Sequence, residues 1–450
     1  MLCAVPLEIC NRELDGALYL ALQLAKKGMP TLMGERMVHE YIFRLYDGAP
    51  VIYFDSDFNP GVGRRVLNSG GKVFNLSSEG LVKKDSMGLP VYTNIADTVT
   101  GICAWGETPA AAIRSALPEE KSSLVKITGY PSFDLLSERF LPYYASEEIV
   151  RKHGRDFILV NTNFPLFNLK MSLKKYMKML GRMEEWELYN DSKVQSRLMD
   201  GVDHQGKLFA EFRSLIRVLA REFPDRHVVV RPHPIEGHKL YQDSFRDLDN
   251  VFVDDRGPVR RWIEAAAAVV HHDCTTGAEA LLMNKLVVGY RPFVDSAHVC
   301  SVMSKIGVHT TTIEEAVEAI REGKVSREEY QSQLEVLRPY FSNLEHCSAE
   351  VVASFVAQHA DPAKVWIPRP LGAWESFKCW RKYASKLLRC MQPGHNGRKV
   401  RYALEKFPRL PFAEVQSRVE RMRAVDPDLP PVRLTSLALN TFLIEPEEVA

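Results

Sequence analysis

Two kinds of hydrophobic pattern alternate along the chain. Between residues 12 and 27, Leu14, Leu18, Leu22 and Ala25 recur at helical spacing and Gly28 ends the run, which predicts an amphipathic helix. Short apolar runs follow at Pro50–Phe54, Gly71–Asn75, Gly101–Trp105 and Val125–Thr128, each closed by Gly, Pro, Ser or Asp. Runs of that length between turn residues predict buried strands.

A second series starts at Phe157–Asn161, passes through a helical pattern at Gly206–Glu222, and continues with strand runs at His227–Arg231, Val251–Val253, Ala268–His271 and Lys285–Tyr290. Helical patterns at Val259–Ala267 and Gly277–Met283 separate these runs. Strands alternating with helices predict an α/β fold, and two such series predict two lobes. The expected division is 1–150, 151–360 and a C-terminal extension, 361–450. Residues 170–200 are helical by propensity but mixed in polarity; they read as an insertion or lid, or equally as a solvated linking helix.

The composition narrows the classes. With 450 residues, 46% of them hydrophobic, the chain can bury a large core. Its 58 Lys plus Arg against 57 Asp plus Glu leave a charge of +1, which argues against a general nucleic-acid binder. Eight cysteines without a Cys-x-x-Cys pair predict neither a zinc ribbon nor a disulfide framework. Glu8, Arg12, Glu13 and Asp15 precede any long apolar run, and no run reaches a membrane span. The expectation is a cytoplasmic protein, with peripheral contact to the inner membrane left open. Between Glu375 and Arg409 ten basic residues face two acidic ones, a local +8 that leaves −7 elsewhere. Phe377, Trp380, Tyr383, Leu387, Leu388, Tyr402 and Phe407 are interleaved with that charge, so the segment reads either as an anionic-membrane patch or as a solvated face over packed aromatics.

The densest chemical signal is Val-Val-Val-Arg-Pro-His-Pro at 228–234, followed by Val-Val-His-His-Asp-Cys-Thr-Thr-Gly at 269–277. In an open α/β sheet ligands bind beyond the carboxyl ends of the strands, so both motifs should face one crevice. Thr275, Thr276 and Gly277 at a strand-to-helix turn offer amides, hydroxyls and a helix dipole to a phosphate; the same residues also suit a plain N-cap. His233, fixed between Pro232 and Pro234, could hydrogen-bond or protonate a phosphate leaving group, or simply stand on a rigid loop. His271 and His272 point to opposite faces of a strand, a poor metal pair. A phosphate neutralised by a histidine and a helix dipole needs no divalent ion, and a metal-independent site is expected.

Several separated blocks resemble bacterial surface carbohydrate biosynthesis proteins, relatives of GT-B glycosyltransferases that include capsular β-Kdo transferases. The blocks are PLEICNRELDGALYLALQLAKKG at 6–28, ITGYPSFDLL at 127–136, FILVNTNF at 157–164, VRPHP at 230–234, GPVRRWIEAA at 257–266 and HHDCTTGAEALLMNKLVVGYRP at 271–292. The pairing of His-Pro with a later hydroxyl pair is similar to bacterial sialyltransferases that use CMP-sugars, and a His-Pro element also occurs in CDP-glycerol glycerophosphotransferases. The resemblance implies a GT-B-like fold, two Rossmann-type lobes around a cleft, and transfer of Kdo or a nonulosonic acid from a CMP donor to a glycan or glycolipid acceptor. By the same resemblance His233, with Thr275 and Thr276, contacts the CMP phosphate, while Arg231, Pro234 and Glu236 help to position it.

Where the family has Asp-Glu-Glu-Gly this chain has Ser77-Ser78-Glu79-Gly80, and Tyr130 and Ser132 stand where Asn and Arg are usual. Glu79 is thus the expected catalytic carboxylate, and Glu8, Arg12 and Asp15 form an alternative cluster or an ion-paired helix start. Polyol-phosphate transfer from a CDP donor, and an inactive GT-B-fold binding protein, are the competing expectations.

Overall fold

The computed structural model describes residues 1–35, 48–81, 89–170, 192–293, 302–364, 368, 371–391 and 395–447. It divides into two compact units, one made of Met1–Tyr143 with Arg338–Ala450 and the other of Tyr144–Leu337. Most of the lid expected at 170–200 lies outside the described residues.

Six parallel strands of the first unit are β1 (Leu2–Leu7), β2 (Thr31–Glu35), β3 (Val51–Asp55), β4 (Lys72–Asn75), β5 (Gly101–Ala104) and β6 (Val125–Ile127). They lie in the order β2-β1-β3-β4-β5-β6, so the direction of winding reverses between β1 and β3. The first two strands have no counterpart among the predicted runs. β1 is buried at every position, as a central parallel strand is on both faces, and Pro6 disguises it. The proline is tolerated because β3 pairs with β1 only over Leu2–Ala4, so its missing N–H falls beyond that ladder. The helix Cys10–Lys26 follows at the predicted place and is buried over most of its circumference.

The second unit contains β7 (Phe157–Asn161), β8 (Val228–Arg231), β9 (Val251–Val253), β10 (Ala266–His271), β11 (Leu286–Tyr290) and β12 (Val308–Thr310), all parallel. Their order, β12-β11-β10-β7-β8-β9, is that of a Rossmann sheet, with its reversal between β7 and β10. Ile158, Val160, Val228, Val230 and Val270 meet Phe212, Leu215 and Ile216 of the helix Ser192–Glu222 in one core. The helix Ile313–Glu322 shows how locally some boundaries are written: Thr312 and Glu315 form a capping box, and Gly323 ends it in the left-handed region at φ 71°. The two α/β halves expected from the sequence are therefore both present.

Their boundary differs from the expectation. The chain rejoins the first unit at Arg338 and not at 360, and its last part is not a helical extension alone. The helix Ser348–Ala357 packs on Cys10–Lys26, held by the buried carboxylate of Asp134, which accepts from the amides of Ser348 at 2.9 Å and Ala349 at 2.7 Å and from Asn343 Nδ2 at 2.6 Å. Burial pushes Asp134 up to about 6 against those donors. After the helix Phe412–Val425, β13 (Val432–Ala438) and β14 (Thr441–Pro446) form a hairpin, and β14 pairs antiparallel with β2. The reason is physical: β2 would otherwise be an open, apolar edge. The close approach requires Gly34, where a Cβ would lie 2.0 Å from the Asn440 carbonyl oxygen.

Candidate functional sites at the carboxyl edges of two sheets

In the second unit β7, β8 and β10 release their loops side by side, since Asn161 pairs with Arg231 and Val160 with Val270. His233 is half-buried on the loop after β8. Prolines carry no N–H, so the only amide in Pro232–His233–Pro234 is that of His233, and it donates to Glu236 Oε1 at 3.1 Å. Glu236 is fully buried and also accepts from the Phe164 amide at 3.0 Å, from Thr162 Oγ1 at 3.2 Å and from the Tyr241 hydroxyl. Burial raises its pKa, and these donors oppose the shift. One carboxylate thereby locks the loops after β7 and β8 together.

The ring of His233 accepts from the Ile235 amide through Nδ1 at 3.4 Å, which leaves the proton on Nε2. Burial, with Lys170 adding to it, lowers the His233 pKa. The group is a neutral N–H donor near pH 7, suited to hydrogen-bonding an anion rather than to protonating it. Pro234 is exposed on the same turn. Arg231 is turned elsewhere: its guanidinium donates to the carbonyls of Arg256 (3.2 Å) and Gly257 and lies 5.6 Å from the Trp262 ring centroid. Burial lowers it to about 10. Two of its donors are thus committed to the loop after β9, which is a structural use.

The turn after β10 starts the helix Thr275–Leu282. Its N-cap is Cys274, and no side chain caps it, so Thr275 and Thr276 are the first helical residues and the N-cap reading of them fails. Thr275 is exposed. The Thr276 hydroxyl is buried with no oxygen or nitrogen partner, only the weakly hydrogen-bonding Cys274 thiol beside it. Gly277 is obligatory for a packing reason, because a Cβ there would meet the ring of His271 at 2.5 Å. His271 is fully buried, and burial lowers it to about 3; its Nδ1 accepts from the Cys274 amide at 3.5 Å. Asn163, after β7, donates to the Asp273 carbonyl at 2.9 Å, so it bridges the two loops where the winding reverses. β8 and β10 flank β7, which separates them by about 10 Å at the usual strand spacing. His233 and the uncapped helix start therefore belong to one edge.

In the first unit the corresponding edge carries charge. Arg12 donates to Glu79 Oε1 at 3.1 Å, to Ser78 Oγ at 2.9 Å and to Glu13 Oε1 at 3.2 Å. Burial works against the Arg12 charge, but Glu13 and Glu79 raise its pKa overall. The residues expected as alternatives, Glu79 and Arg12, are thus partners. Glu79 is exposed, and its loop is pinned from behind by Trp105, whose Nε1 donates to the Ser77 carbonyl at 2.9 Å. The indole sits where a Cβ on Gly80 would fall. A recess of about 40 Å³ lies beside this cluster, lined by Glu13, Ser56, Ser78, Tyr130 and Ser132 among others. That is room for a water or so, not a sugar.

Glu8 and Asp15 do not join the cluster through their ion pairs. Glu8 pairs with Lys406 at 2.6 Å. Asp15 is buried between Arg418 and the Tyr143 hydroxyl (2.7 Å), where it fastens the helix Phe412–Val425. Both residues are thus ion-paired, with partners, Lys406 and Arg418, that come from far along the chain. Glu13, not singled out as a site residue, accepts from the amides of Glu8 (2.7 Å) and Ile9 (3.2 Å) and so caps its own helix; an acidic residue in a first helical turn was its signal. Among the described residues no three His, Cys, Asp or Glu side chains gather as a metal ion requires.

No protein-family model matches the chain, and no curated protein sequence matches it. Solved structures similar to it include the UDP-GlcNAc 2-epimerase of Methanocaldococcus jannaschii in complex with UDP-GlcNAc and UDP, at 11% identity and a TM-score of 0.48, covering 80% of this chain and 100% of that one. A Staphylococcus aureus MnaA–UDP complex is similar at 13% identity and a TM-score of 0.46, over 82% and 99% of the two chains. The wall teichoic acid polymerase TagF is similar at 9% identity and a TM-score of 0.45, over 80% and 88%. Likeness at this level transfers no activity.

Proposed function

We propose that this chain is a GT-B-type glycosyltransferase of surface-polysaccharide assembly that moves Kdo or a nonulosonic acid from a CMP donor to a glycan acceptor. The observation that carries the proposal is the edge of the second unit: a neutral His233 Nε2–H and an uncapped helix start, set at the reversal of a Rossmann sheet. In the proposed step the acceptor oxygen bonds to the anomeric carbon, the bond from that carbon to the phosphate oxygen breaks, and the electron pair leaves on CMP. Negative charge grows on the phosphate, and fixed donors aimed at it lower the barrier. His233, the Thr276 hydroxyl and the amides at the helix start are assigned to that charge. A phosphate monoester leaves without being protonated, so a neutral imidazole suffices.

Glu79 is assigned to the acceptor proton as general base, with Arg12 orienting its carboxylate. The reaction proposed uses no divalent ion. The exposure of Glu79 favours one second reading, a binding protein that holds the donor without turning it over. Incubation with CMP-Kdo, CMP-nonulosonates and CDP-glycerol, with and without EDTA, tests the proposal through release of CMP. Release from a CMP-sugar that EDTA leaves unchanged supports it; release from CDP-glycerol alone replaces it with polyol-phosphate transfer, and binding without release leaves the second reading.

A further inference from the structure

The basic C-terminal segment is not uniform. Phe407 is buried in the core of the first unit, and Tyr383 is half-buried. The helix Ala373–Cys390 is different. Trp374, Phe377, Trp380, Leu387 and Leu388, with Met391 just beyond its end, are all exposed, with Trp374, Trp380, Leu388 and Met391 more than 60% so. At 3.6 residues per turn these six positions fall within about 140° of the circumference. Trp374 stacks on Phe377 at 5.7 Å between centroids, and Phe377 on Trp380 at 6.3 Å, so the face is an ordered aromatic ladder.

The exposed Arg381 falls near the edge of that arc, and the other basic residues lie on the remaining sides of the helix. Lys378, Lys382 and Arg389 are exposed along one flank, and the Lys378 ammonium lies 5.4 Å from the Trp374 centroid. Lys386 projects to the opposite side and pairs at 2.5 Å with Glu35, the last residue of β2. Arg401 of the helix His395–Lys406 donates to the Cys390 carbonyl at 2.5 Å, and Lys406 reaches Glu8 beyond β1. Both helices are therefore tied to the carboxyl edge of the first sheet, the edge that carries Arg12 and Glu79.

We propose that Ala373–Cys390 is a membrane-interface helix: its aromatic and leucine face enters the headgroup region of an anionic bilayer and holds the Glu79 edge of the first unit at that surface, to meet an acceptor anchored in the membrane. The acceptor half rests on the transferase reading above; the membrane half does not. Trp and Phe on one face with Lys and Arg beside them match the two components of a bilayer interface, apolar below and anionic at the surface. A second copy of the chain fits worse, because pairing this face with itself would bring two clusters of like charge together. Among the described residues no helix is long and apolar enough to span the bilayer, so this contact lies along the surface.

The test is co-sedimentation of the full chain with vesicles of phosphatidylcholine alone or containing phosphatidylglycerol. Binding should require phosphatidylglycerol, weaken with salt, and fall at least tenfold for the Phe377→Ser, Trp380→Ser double variant. Lys378→Gln and Lys382→Gln should each cost about five-fold, one surface charge apiece. All these side chains are exposed, so unchanged melting confirms that the variants are folded. No binding to anionic vesicles, equal binding to neutral ones, or variants that bind like the parent would overturn the proposal. A dimer that Trp380→Ser dissociates, in protein that ignores vesicles, would assign the face to self-association instead. Failure here leaves CMP release from soluble substrates untouched, and failure of CMP release leaves vesicle binding standing, so the two proposals fall separately.

Discussion

The two units use one architecture to opposite electrostatic ends. In both, loops leave the carboxyl edge of a parallel sheet at a reversal of winding. At its reversal, around β7, the second unit sets neutral imidazoles, His233 and His271, and a Glu236 that meets amides and hydroxyls; its ion pairs, Asp254 with Lys152 and Arg256, stand aside at the end of β9. The first unit fills its edge with ion pairs, Arg12 with Glu79 and Lys406 with Glu8, on exposed or half-buried side chains. A neutral donor set stabilises charge that develops on a ligand, since it has none of its own to neutralise. The exposed Glu79, paired with Arg12, is the group proposed to take the acceptor proton.

That contrast breaks most readily at His233. His233→Ala should lower CMP release by about 10²–10⁴-fold while shifting the melting temperature far less, because the half-buried ring makes one long hydrogen bond, from the Ile235 amide. The pH profile sharpens the point. With its folded pKa lowered below the ordinary 6.5, His233 is already neutral at pH 7, so its donor role should persist unchanged from pH 7 to 8. A rate that declines over that interval in the parent and not in His233→Ala would mean that the imidazolium is the working form.

The counterpart in the first unit is Glu79→Gln, which keeps shape and removes charge. Chemistry should fall by about 10²-fold or more with CMP affinity intact by calorimetry. Since Asp15 and Glu8 are engaged by Arg418 and Lys406, a fully active Glu79→Gln protein would remove the general-base role from this edge altogether.

The same comparison explains what could be read from sequence. Nearly all of the second unit's site lies in two short motifs, because its partners are near neighbours: His233 with Glu236, Cys274 with His271. The first unit's partners come from the far end of the chain, 351 to 403 residues away for Lys386 with Glu35, Lys406 with Glu8 and Arg418 with Asp15. Patterns of spacing cannot register such pairs. The same distance hid the return of the chain at Arg338 and the hairpin β13–β14 on β2. Asp134 stood in plain view within ITGYPSFDLL, but its use, holding the start of a helix more than 200 residues on, is written nowhere near it.

Acid should separate the units next. His153, His271 and His272 of the second unit are lowered by burial to about 4, 3 and 4. Below pH 6.5 the unfolded chain binds protons that these folded imidazoles refuse, so their contribution is complete above 6.5 and is lost as the pH falls toward 4. For the fully buried His271 alone the loss by pH 5 is about 2 kcal/mol. Asp134 of the first unit is raised to about 6, and the sign reverses: its contribution is complete at low pH and is lost as the pH rises from about 4 to 6. Glu236 opposes the trend within the second unit, one carboxyl against these three imidazoles and against His227, His233 and His309, which burial also lowers. Calorimetric scans at pH 7 and 5 should show the transition of the second unit descending further than that of the first; equal descent would remove the electrostatic contrast from the folding of the units.

The smallest effect, and the one that best isolates the helix start, is at Thr276. Its hydroxyl is buried with only the Cys274 thiol, a weak partner, beside it, so in the free protein its desolvation is poorly repaid. Replacing it with valine removes the polar atom and keeps the volume, and a swap that deletes a poorly satisfied group is neutral or stabilising. In the presence of CMP the balance changes, because a hydroxyl that reaches a phosphate oxygen makes a bond to a charged group worth about 1.5–3 kcal/mol. Thr276→Val should therefore melt no lower than the parent and bind CMP about ten-fold or more weakly. Thr275 sits on the same turn but is exposed, and Thr275→Val should weaken binding less, since water already satisfies that hydroxyl in the free state. Thr276→Val with lower stability and unchanged CMP affinity would make the buried hydroxyl a structural group and leave phosphate recognition to the amides of the turn.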